Sequence, residues 1–182
     1  QLERAGVHVV YGFMDLKTHC KLAMVVRQEG NLVRRYVHLG TGNYNPSTAQ
    51  LYTDIGLLTA DKTMADDATA LFNFLTGYSQ GHRWRKLVVA PLDLHERTIE
   101  LIRTQTRRAE GGKSARIFAK LNSLVDRETI EALYEASQAG VPVELVVRGI
   151  CSLRPGLPGI SENIQVRSIV DRFLEHSRIM VF

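Results

Sequence analysis

The fold is decided by residues 115–148, ARIFAKLNSLVDRETIEALYEASQAGVPVELVVR. Two apolar runs in this stretch predict strands over Ala115–Leu121 and Val143–Arg148. Between them, the spacing of apolar residues predicts a helix over Asp126–Ala139, which Gly140 ends. The order strand, helix, strand is typical of a layered α/β fold.

The alternation continues on both sides of this stretch. Before it, an apolar run at Leu87–Ala90 leads into a helix that begins at Asp93 and ends at Gly111. After it, the apolar run Arg178–Phe182 predicts a further strand. The C-terminal half of the chain therefore predicts strands and helices in alternation.

The N-terminal part predicts four strands and a helix. The strands are expected at Val7–Tyr11, Leu22–Arg27, Val33–Leu39 and Asp54–Thr59. The second and third of these flank a polar link that contains Gly30, which predicts a hairpin. Thr63 is the expected N-cap of the helix, and Gly77 is its expected end.

An internal repeat indicates that the two parts are related. Ala5–Val10 resembles Ala139–Glu144, in each case the end of a helix that runs into an apolar strand. Downstream of each copy, a histidine is followed two positions later by a basic residue, at His19–Lys21 and at His176–Arg178. Similarity this short also arises by chance.

The boundary between the two related parts is expected near residue 86, after the polar, basic segment Gly81–Lys86. We therefore predict two half-domains, 1–86 and 87–182, each with a mixed sheet flanked by helices. The chain lacks an initiator Met and ends within an apolar run. We expect both half-domains to be incomplete parts of a longer protein.

Composition narrows the class of protein. The chain has 182 residues, 45% of them hydrophobic and 23% charged, which is typical of globular domains and excludes disorder or coiled coil as a description of the whole. A net charge of +4 favours an anionic partner, either a nucleic acid or a phosphorylated small molecule. Cys20 and Cys151 lack the spacing of a zinc site or a disulfide framework, which indicates a reducing cytoplasm.

The repeated histidine motif could carry chemistry. In a strand, residues i and i+2 point to the same face, so His19 would lie beside Lys21 and His176 beside Arg178. A neutral imidazole can attack a phosphoryl group while the neighbouring cation balances charge on its oxygens. The alternative is a histidine at a strand edge beside a solvated cation.

Gly40-Thr41-Gly42-Asn43 is a second candidate, because glycines let backbone N–H groups approach an anion while Thr41 and Asn43 supply side-chain donors. The alternative is an ordinary turn after a strand. Gly111-Gly112-Lys113-Ser114 is not a phosphate loop, since it follows a helix and lacks the leading glycine.

Two further residues stand at suggestive positions. Arg148 ends an apolar strand, where ligands of α/β sheets usually bind, so it fits a phosphate contact or a structural ion pair equally well. Tyr52 follows the glycine-rich loop, with core packing as the alternative. The histidines interpreted as packing or surface residues are His8, His38, His82 and His95.

Over essentially its whole length, the chain resembles the C-terminal part of bacterial polyphosphate kinases of the type built on the phospholipase D fold. The resemblance rests on six blocks in one order. These are His19–Lys21, Tyr36–Asn45, Leu51–Asp54, Leu121–Asp126, Val147–Leu153 and Phe173–His176. It implies two phospholipase D-like half-domains and reversible transfer of the ATP γ-phosphate to inorganic polyphosphate.

The resemblance also implies roles for single residues. The histidine at the position of His19 becomes phosphorylated, with Lys21 beside it, and the one matching His176 lies across the active site and assists transfer. The positions of Tyr52 and Arg148 contact the nucleotide. The family's magnesium-binding region lies upstream of Gln1, so this chain is expected to hold no metal ligand.

The same resemblance sets the expected partners, which are ATP, ADP and polyphosphate rather than nucleic acid. We expect a homo-oligomer of the full-length protein, without an integral membrane segment, in the cytoplasm or at a membrane surface. Two alternatives stay open: a phosphodiesterase of the phospholipase D superfamily, and a catalytically silent α/β interaction module. Val26 stands where those phosphodiesterases usually carry Asp, which weakens the first alternative.

Overall fold

A computed structural model describes residues 1–77 and 83–182. It divides the chain into two units, the first made of residues 1–40 and 56–87 and the second of residues 41–55 and 88–182. The strands are β1 (Leu22–Glu29), β2 (Leu32–Gly40), β3 (Tyr52–Thr53), β4 (Gly56–Thr59), β5 (Ile117–Leu121), β6 (Val143–Val147), β7 (Ile164–Arg167), β8 (Leu174–Glu175) and β9 (Ile179–Val181). The helices are α1 (Pro46–Ala49), α2 (Lys62–Leu75), α3 (Leu94–Glu110) and α4 (Arg127–Gln138).

The first unit is built on an antiparallel sheet in the order β1-β2-β4. The predicted hairpin is confirmed, with Val25 opposite Tyr36 and Glu29 opposite Leu32. Helix α2 packs against β2 through a small core in which Val37, Ala65 and Ala68 are buried. Small alanines on the helix allow it to approach the sheet closely.

Three predictions for this part of the chain are wrong in detail. Residues 7–11 form no strand. Their apolar side chains are largely exposed, and no described strand pairs with their backbone. Helix α2 begins before Thr63, because the Asp61 carboxylate accepts the Met64 N–H at 2.8 Å and caps the helix. Strand β4 begins at Gly56, so Asp54 lies outside it.

The second unit contains a four-stranded sheet in the order β7-β6-β5-β9, in which β9 is antiparallel to β5 and the other pairs are parallel. The strand, helix and strand predicted in residues 115–148 are confirmed as β5, α4 and β6. Asp126 caps α4 by accepting the Thr129 N–H at 2.8 Å. The core lies between the sheet and helices α3 and α4.

The described residues thus form an α/β protein with sheets and flanking helices, as predicted. The sheet of β5, β6, β7 and β9 is mixed, as expected for each half-domain, whereas the sheet of the first unit is antiparallel. The apolar run at residues 87–90 is not a strand. The two histidines of the repeat also lie outside strands, since β1 begins after His19 and β9 begins after His176. The strand geometry expected to align each histidine with its basic neighbour therefore does not apply.

Residues 41–55 pack with the second unit although they lie within residues 1–86 of the sequence. Their anchor is β3, which pairs in parallel with β8. The two related half-domains 1–86 and 87–182 stay a prediction. Within the described chain, no helix combines the length and the apolar character needed to cross a membrane.

Candidate functional site

The second unit holds the imidazole of His176 in a fixed orientation. Its side chain is 8% exposed, and its Nδ1 lies 2.7 Å from Oδ1 of Asp54. The ring of Tyr52 packs beside it, with ring centroids 4.8 Å apart and planes inclined by 44°. A carboxylate on one edge and an aromatic ring beside it restrict both the rotation and the displacement of the imidazole.

This arrangement follows from the pairing of β3 with β8. Tyr52 lies opposite Leu174 and Thr53 opposite Glu175, so the next residues in register are Asp54 and His176. The backbone continues this contact, because the carbonyl of Thr53 accepts the His176 N–H at 3.2 Å. Parallel pairing thus aligns a carboxylate with a histidine that is 122 residues away in sequence.

The electrostatics of Asp54 favour its ionised form. Partial burial by itself raises the pKa of Asp54, but hydrogen bonds from His176 and Thr41, with positive charge on His176 and Arg178, outweigh burial and lower it. An ionised carboxylate can only accept hydrogen bonds, so Nδ1 of His176 carries the hydrogen. Nε2 is therefore the ring nitrogen left to exchange a proton with a substrate.

The glycine-rich loop supports Asp54. Thr41 Oγ1 donates to Asp54 Oδ1 at 2.8 Å and accepts the Ile55 N–H at 3.0 Å. A Cβ atom added at Gly42 would lie 2.6 Å from Asp54 Oδ2, closer than van der Waals contact permits. Glycine is thus needed at position 42 to leave room for the carboxylate. Asn43 is exposed on the same loop.

Two cations lie beside the backbone that carries His176. Arg148, directly after β6, donates from Nη1 to the Glu175 carbonyl at 3.1 Å and from Nη2 to the side-chain oxygen of Asn122. Lys120 on β5 contacts the side chains of Glu175 and Ser177. The Lys120 hydrogen bond lowers the pKa of Glu175, although desolvation opposes it.

The first unit carries the other predicted pair, His19 and Lys21. His19 is exposed, while Lys21 is 9% exposed and donates from Nζ to the His19 carbonyl at 2.8 Å. Its Nζ also lies 3.0 Å from Nδ1 and 3.2 Å from Nε2 of the His19 ring. An ammonium at the end of one in-plane lone pair cannot be this close to both nitrogens. Lys21 therefore approaches the face of the ring.

In one unit the structure thus brings His176 and Thr41 to Asp54, with Tyr52 beside the His176 ring, and in the other it brings His19 to Lys21. Sequence reasoning assigned no role to Asp54 or Lys120. Asp54 stands in the quoted block Leu51–Asp54, so an acidic residue near the glycine-rich loop was the available signal. The residues around Lys120 in the sequence give no indication of a functional role.

Other sequence candidates have separate explanations. In the repeat, Arg178 donates to the backbone carbonyl of His176 at 3.2 Å rather than contacting its ring. His95 pairs with Asp126 at 3.1 Å on the surface. His8 is exposed and His38 lies half-buried on β2, whereas His82 lies outside the described residues.

A magnesium site needs several oxygen ligands that face one point. In residues 1–77 and 83–182, no group of three or more His, Cys, Asp or Glu side chains is arranged to hold a metal ion. The described residues therefore do not fit a magnesium site.

Comparison with known families accounts for both parts of the chain. The family model described as polyphosphate kinase C-terminal domain 1 matches residues 1–81, and the model described as polyphosphate kinase C-terminal domain 2 matches residues 87–182. The crystal structure of polyphosphate kinase from Porphyromonas gingivalis superposes with a TM-score of 0.88 at 38% identity, over 98% of this chain and 30% of that one.

Curated relatives align along the whole chain. Polyphosphate kinase from Synechocystis sp. is 57% identical over 182 residues, and that from Mycolicibacterium gilvum is 60% identical over 181 residues. In both cases the alignment covers 100% of this chain and 25% of the relative, so the chain spans about a quarter of their length. With two domain models matched in order and such identity throughout, this chain belongs to the polyphosphate kinase family.

Proposed function

We propose that the protein containing this chain is a polyphosphate kinase that transfers the γ-phosphate of ATP reversibly to inorganic polyphosphate, with His19 as the phosphorylated residue. The observation that carries the proposal is the contact of Lys21 with the face of the His19 ring. In this position the ammonium lies beside the reacting group. It does not block the in-plane lone pair through which a ring nitrogen attacks phosphorus.

The first half-reaction uses the neutral imidazole as nucleophile. A ring nitrogen of His19 bonds to the γ-phosphorus, the bond from that phosphorus to the β,γ-bridging oxygen breaks, and ADP leaves. The Lys21 ammonium offsets negative charge on the transferring oxygens. The product is a phosphohistidine.

The second half-reaction regenerates the histidine. A terminal oxygen of polyphosphate attacks the phosphohistidine, the phosphorus–nitrogen bond breaks, and the polymer is one phosphate longer. The same two steps in reverse make ATP from ADP. Neither step involves oxidation or reduction, and ATP or ADP and polyphosphate are the only reactants.

His176 acts in this proposal as a general acid or base through Nε2. Its support is the Asp54 carboxylate, which fixes the hydrogen on Nδ1 and balances a positive charge on the ring. Tyr52 packs against the same ring, so an adenine or a ribose that meets Tyr52 lies near the proton-transfer group.

The remaining nucleotide contacts are assigned to Arg148, Thr41 and Asn43. The contacts of Arg148 to Glu175 and Asn122 use two of the five N–H donors of a guanidinium, and the other donors suit a phosphate. Thr41 donates to Asp54, so a direct contact with the nucleotide requires its hydroxyl to turn. Magnesium would come with the nucleotide or from residues outside this chain.

Labelled ATP tests the reaction in the full-length protein. With label at the γ-position, we expect labelled polymer and a labelled protein whose label survives alkali and is lost in acid, as a phosphoramidate requires. With label at the α-position, neither product should carry it. His19→Ala should abolish both signals, whereas His95→Ala, a matched change at the surface pair with Asp126, should retain them.

Three other results have different meanings. Labelling that persists in His19→Ala moves the nucleophile elsewhere and contradicts the proposal. Cleavage of a phosphodiester without polymer synthesis identifies a phospholipase D-type phosphodiesterase. A protein that binds neither ATP nor polyphosphate is the silent interaction module. The expected oligomer and cellular location of the full-length protein stay predictions.

A further inference from the structure

Lys120 connects the main sheet of the second unit to the segment that carries His176. It lies on β5, opposite Val146 of β6 and Ile179 of β9. Its side chain is 13% exposed, and its Nζ contacts the carboxylate of Glu175 and the hydroxyl of Ser177. These two residues stand directly before and after His176 in the sequence.

The two contacts hold both sequence neighbours of His176. One ammonium nitrogen contacts the side chains of Glu175 and Ser177, so these two side chains meet at Lys120. The imidazole of His176, between them in the sequence, contacts Asp54 and Tyr52 instead. Lys120 therefore restrains the residues on either side of His176, while Asp54 restrains the imidazole itself.

The segment has few other supports. Strand β8 pairs with β3 through two residues, and the sheet ladder with β5 resumes at Ile179. Between these ladders, Arg148 donates to the Glu175 carbonyl and Arg178 donates to the His176 carbonyl, while the amides of residues 176 and 177 donate to the Thr53 carbonyl. A side chain that bridges both neighbours of His176 therefore adds to the restraint that Asp54 and Tyr52 place on the imidazole.

We infer that Lys120 is a positioning residue for the phosphoryl-transfer reaction, acting through Glu175 and Ser177 to hold His176 in its productive orientation. The inference rests on the proposed function, because it assumes that His176 takes part in transfer. It assigns Lys120 no contact with ATP or polyphosphate, so its loss should affect turnover rather than nucleotide binding.

The test uses the full-length protein with Lys120→Met, which keeps a long side chain but removes the ammonium. We expect kcat for polymer synthesis to fall roughly tenfold, the loss typical of one charge-assisted hydrogen-bonded contact, with KM for ATP within about twofold. Lys120→Arg keeps a cation that can reach both acceptors and should restore most of kcat.

A second readout reports on His176 itself. Diethyl pyrocarbonate acylates accessible imidazoles, and mass spectrometry of peptides gives the rate for each histidine. In Lys120→Met we expect the rate at His176 to rise severalfold, because the segment is released, while the rate at His95 stays unchanged. Arg116→Met is the matched control, since it removes an ion pair with Glu144 next to the same strand.

The results separate the inference from the proposed function. Wild-type kcat in Lys120→Met, or a fall in kcat without faster acylation of His176, overturns the positioning role. Wild-type kcat in His176→Ala instead overturns the assumed role of His176. If Lys120→Met does not fold, Ser177→Ala removes one acceptor without stranding a charge and should move both readouts in the same direction by less.

Discussion

Replacing Asp54 by Asn tests whether the partly buried pair with His176 serves catalysis. Asn has the shape of Asp but no charge, and its amide nitrogen can donate as well as accept through its oxygen. In the native pair, the ionised carboxylate can only accept, which fixes the hydrogen of His176 on Nδ1. In the Asp54→Asn variant, the introduced amide nitrogen can turn toward Nδ1 and stabilise the other tautomer, which carries its hydrogen on Nε2.

The size of the effect follows from the contacts. Asp54 accepts from His176 at 2.7 Å and from Thr41 at 2.8 Å, with the His176 side chain 8% exposed. A hydrogen bond to a charged group at such a site is worth about 1.5–3 kcal/mol, and about 1.4 kcal/mol is a factor of ten in rate. We therefore expect kcat to fall roughly ten- to a hundredfold, with KM for ATP little changed because Asp54 is not assigned to the nucleotide.

The assay is initial-rate polymer synthesis by the full-length protein with ATP varied through KM. Asp171→Asn, a neutralisation at an exposed aspartate of the same unit, is the control and should match the wild type. Circular dichroism and the melting temperature establish that Asp54→Asn is folded. A folded Asp54→Asn protein with wild-type kcat would show that the charge of the pair contributes nothing to turnover and would contradict the catalytic role of Asp54.

Three further changes test the supports of the fold and the site. Gly42→Ala should lower kcat in the same way as Asp54→Asn, because its methyl group would displace the Asp54 carboxylate, and an unchanged rate would show that the loop yields without cost. Asp67→Ala should destabilise the first unit by about 3 kcal/mol, since the fully buried carboxylate accepts the N–H groups of residues 85–87, and faster amide exchange of a peptide covering them is the measurement. Asp126→Ala should cost about 1 kcal/mol by removing the cap of α4, measured as a lower urea midpoint. Hydrogen bonds from the side chain and amide of Thr129 lower the pKa of Asp126, so this capping contribution is complete above the unfolded-state pKa and is lost as the pH falls through the folded-state value; a difference between variant and wild type that persisted in strong acid would contradict it.

Much of the second unit could be predicted from the sequence because the deciding interactions are local. Helix α4 begins where Asp126 accepts an N–H from three residues ahead, and it ends at Gln138, two residues before Gly140, whose φ of 85° suits glycine. Strands β5 and β6 flank α4 in the sequence, and their apolar residues pack with this helix in one core. Caps, periodicity and turn residues act over a few positions, so the α/β alternation can be recognised without tertiary contacts.

The pattern failed where a partner strand was required. Residues 7–11 have strand composition, yet they form none, because a strand exists only when a neighbour accepts its hydrogen bonds. The repeat identified both histidine motifs, but it placed them within strands, whereas each lies just before one. Composition indicates that a segment can form a strand, but the tertiary fold determines whether a second strand lies beside it.

Local patterns in the sequence are enough to predict the α/β class, the hairpin of β1 and β2, helix α4 and the histidines to test. Tertiary contacts were needed to show that residues 41–55 pack with the second unit, that Asp54 meets His176, and that Lys120 joins Glu175 to Ser177. These contacts join residues that are far apart in the sequence. Asp54 and His176 are 122 residues apart, and their contact depends on the parallel pairing of two short strands whose register no local pattern encodes.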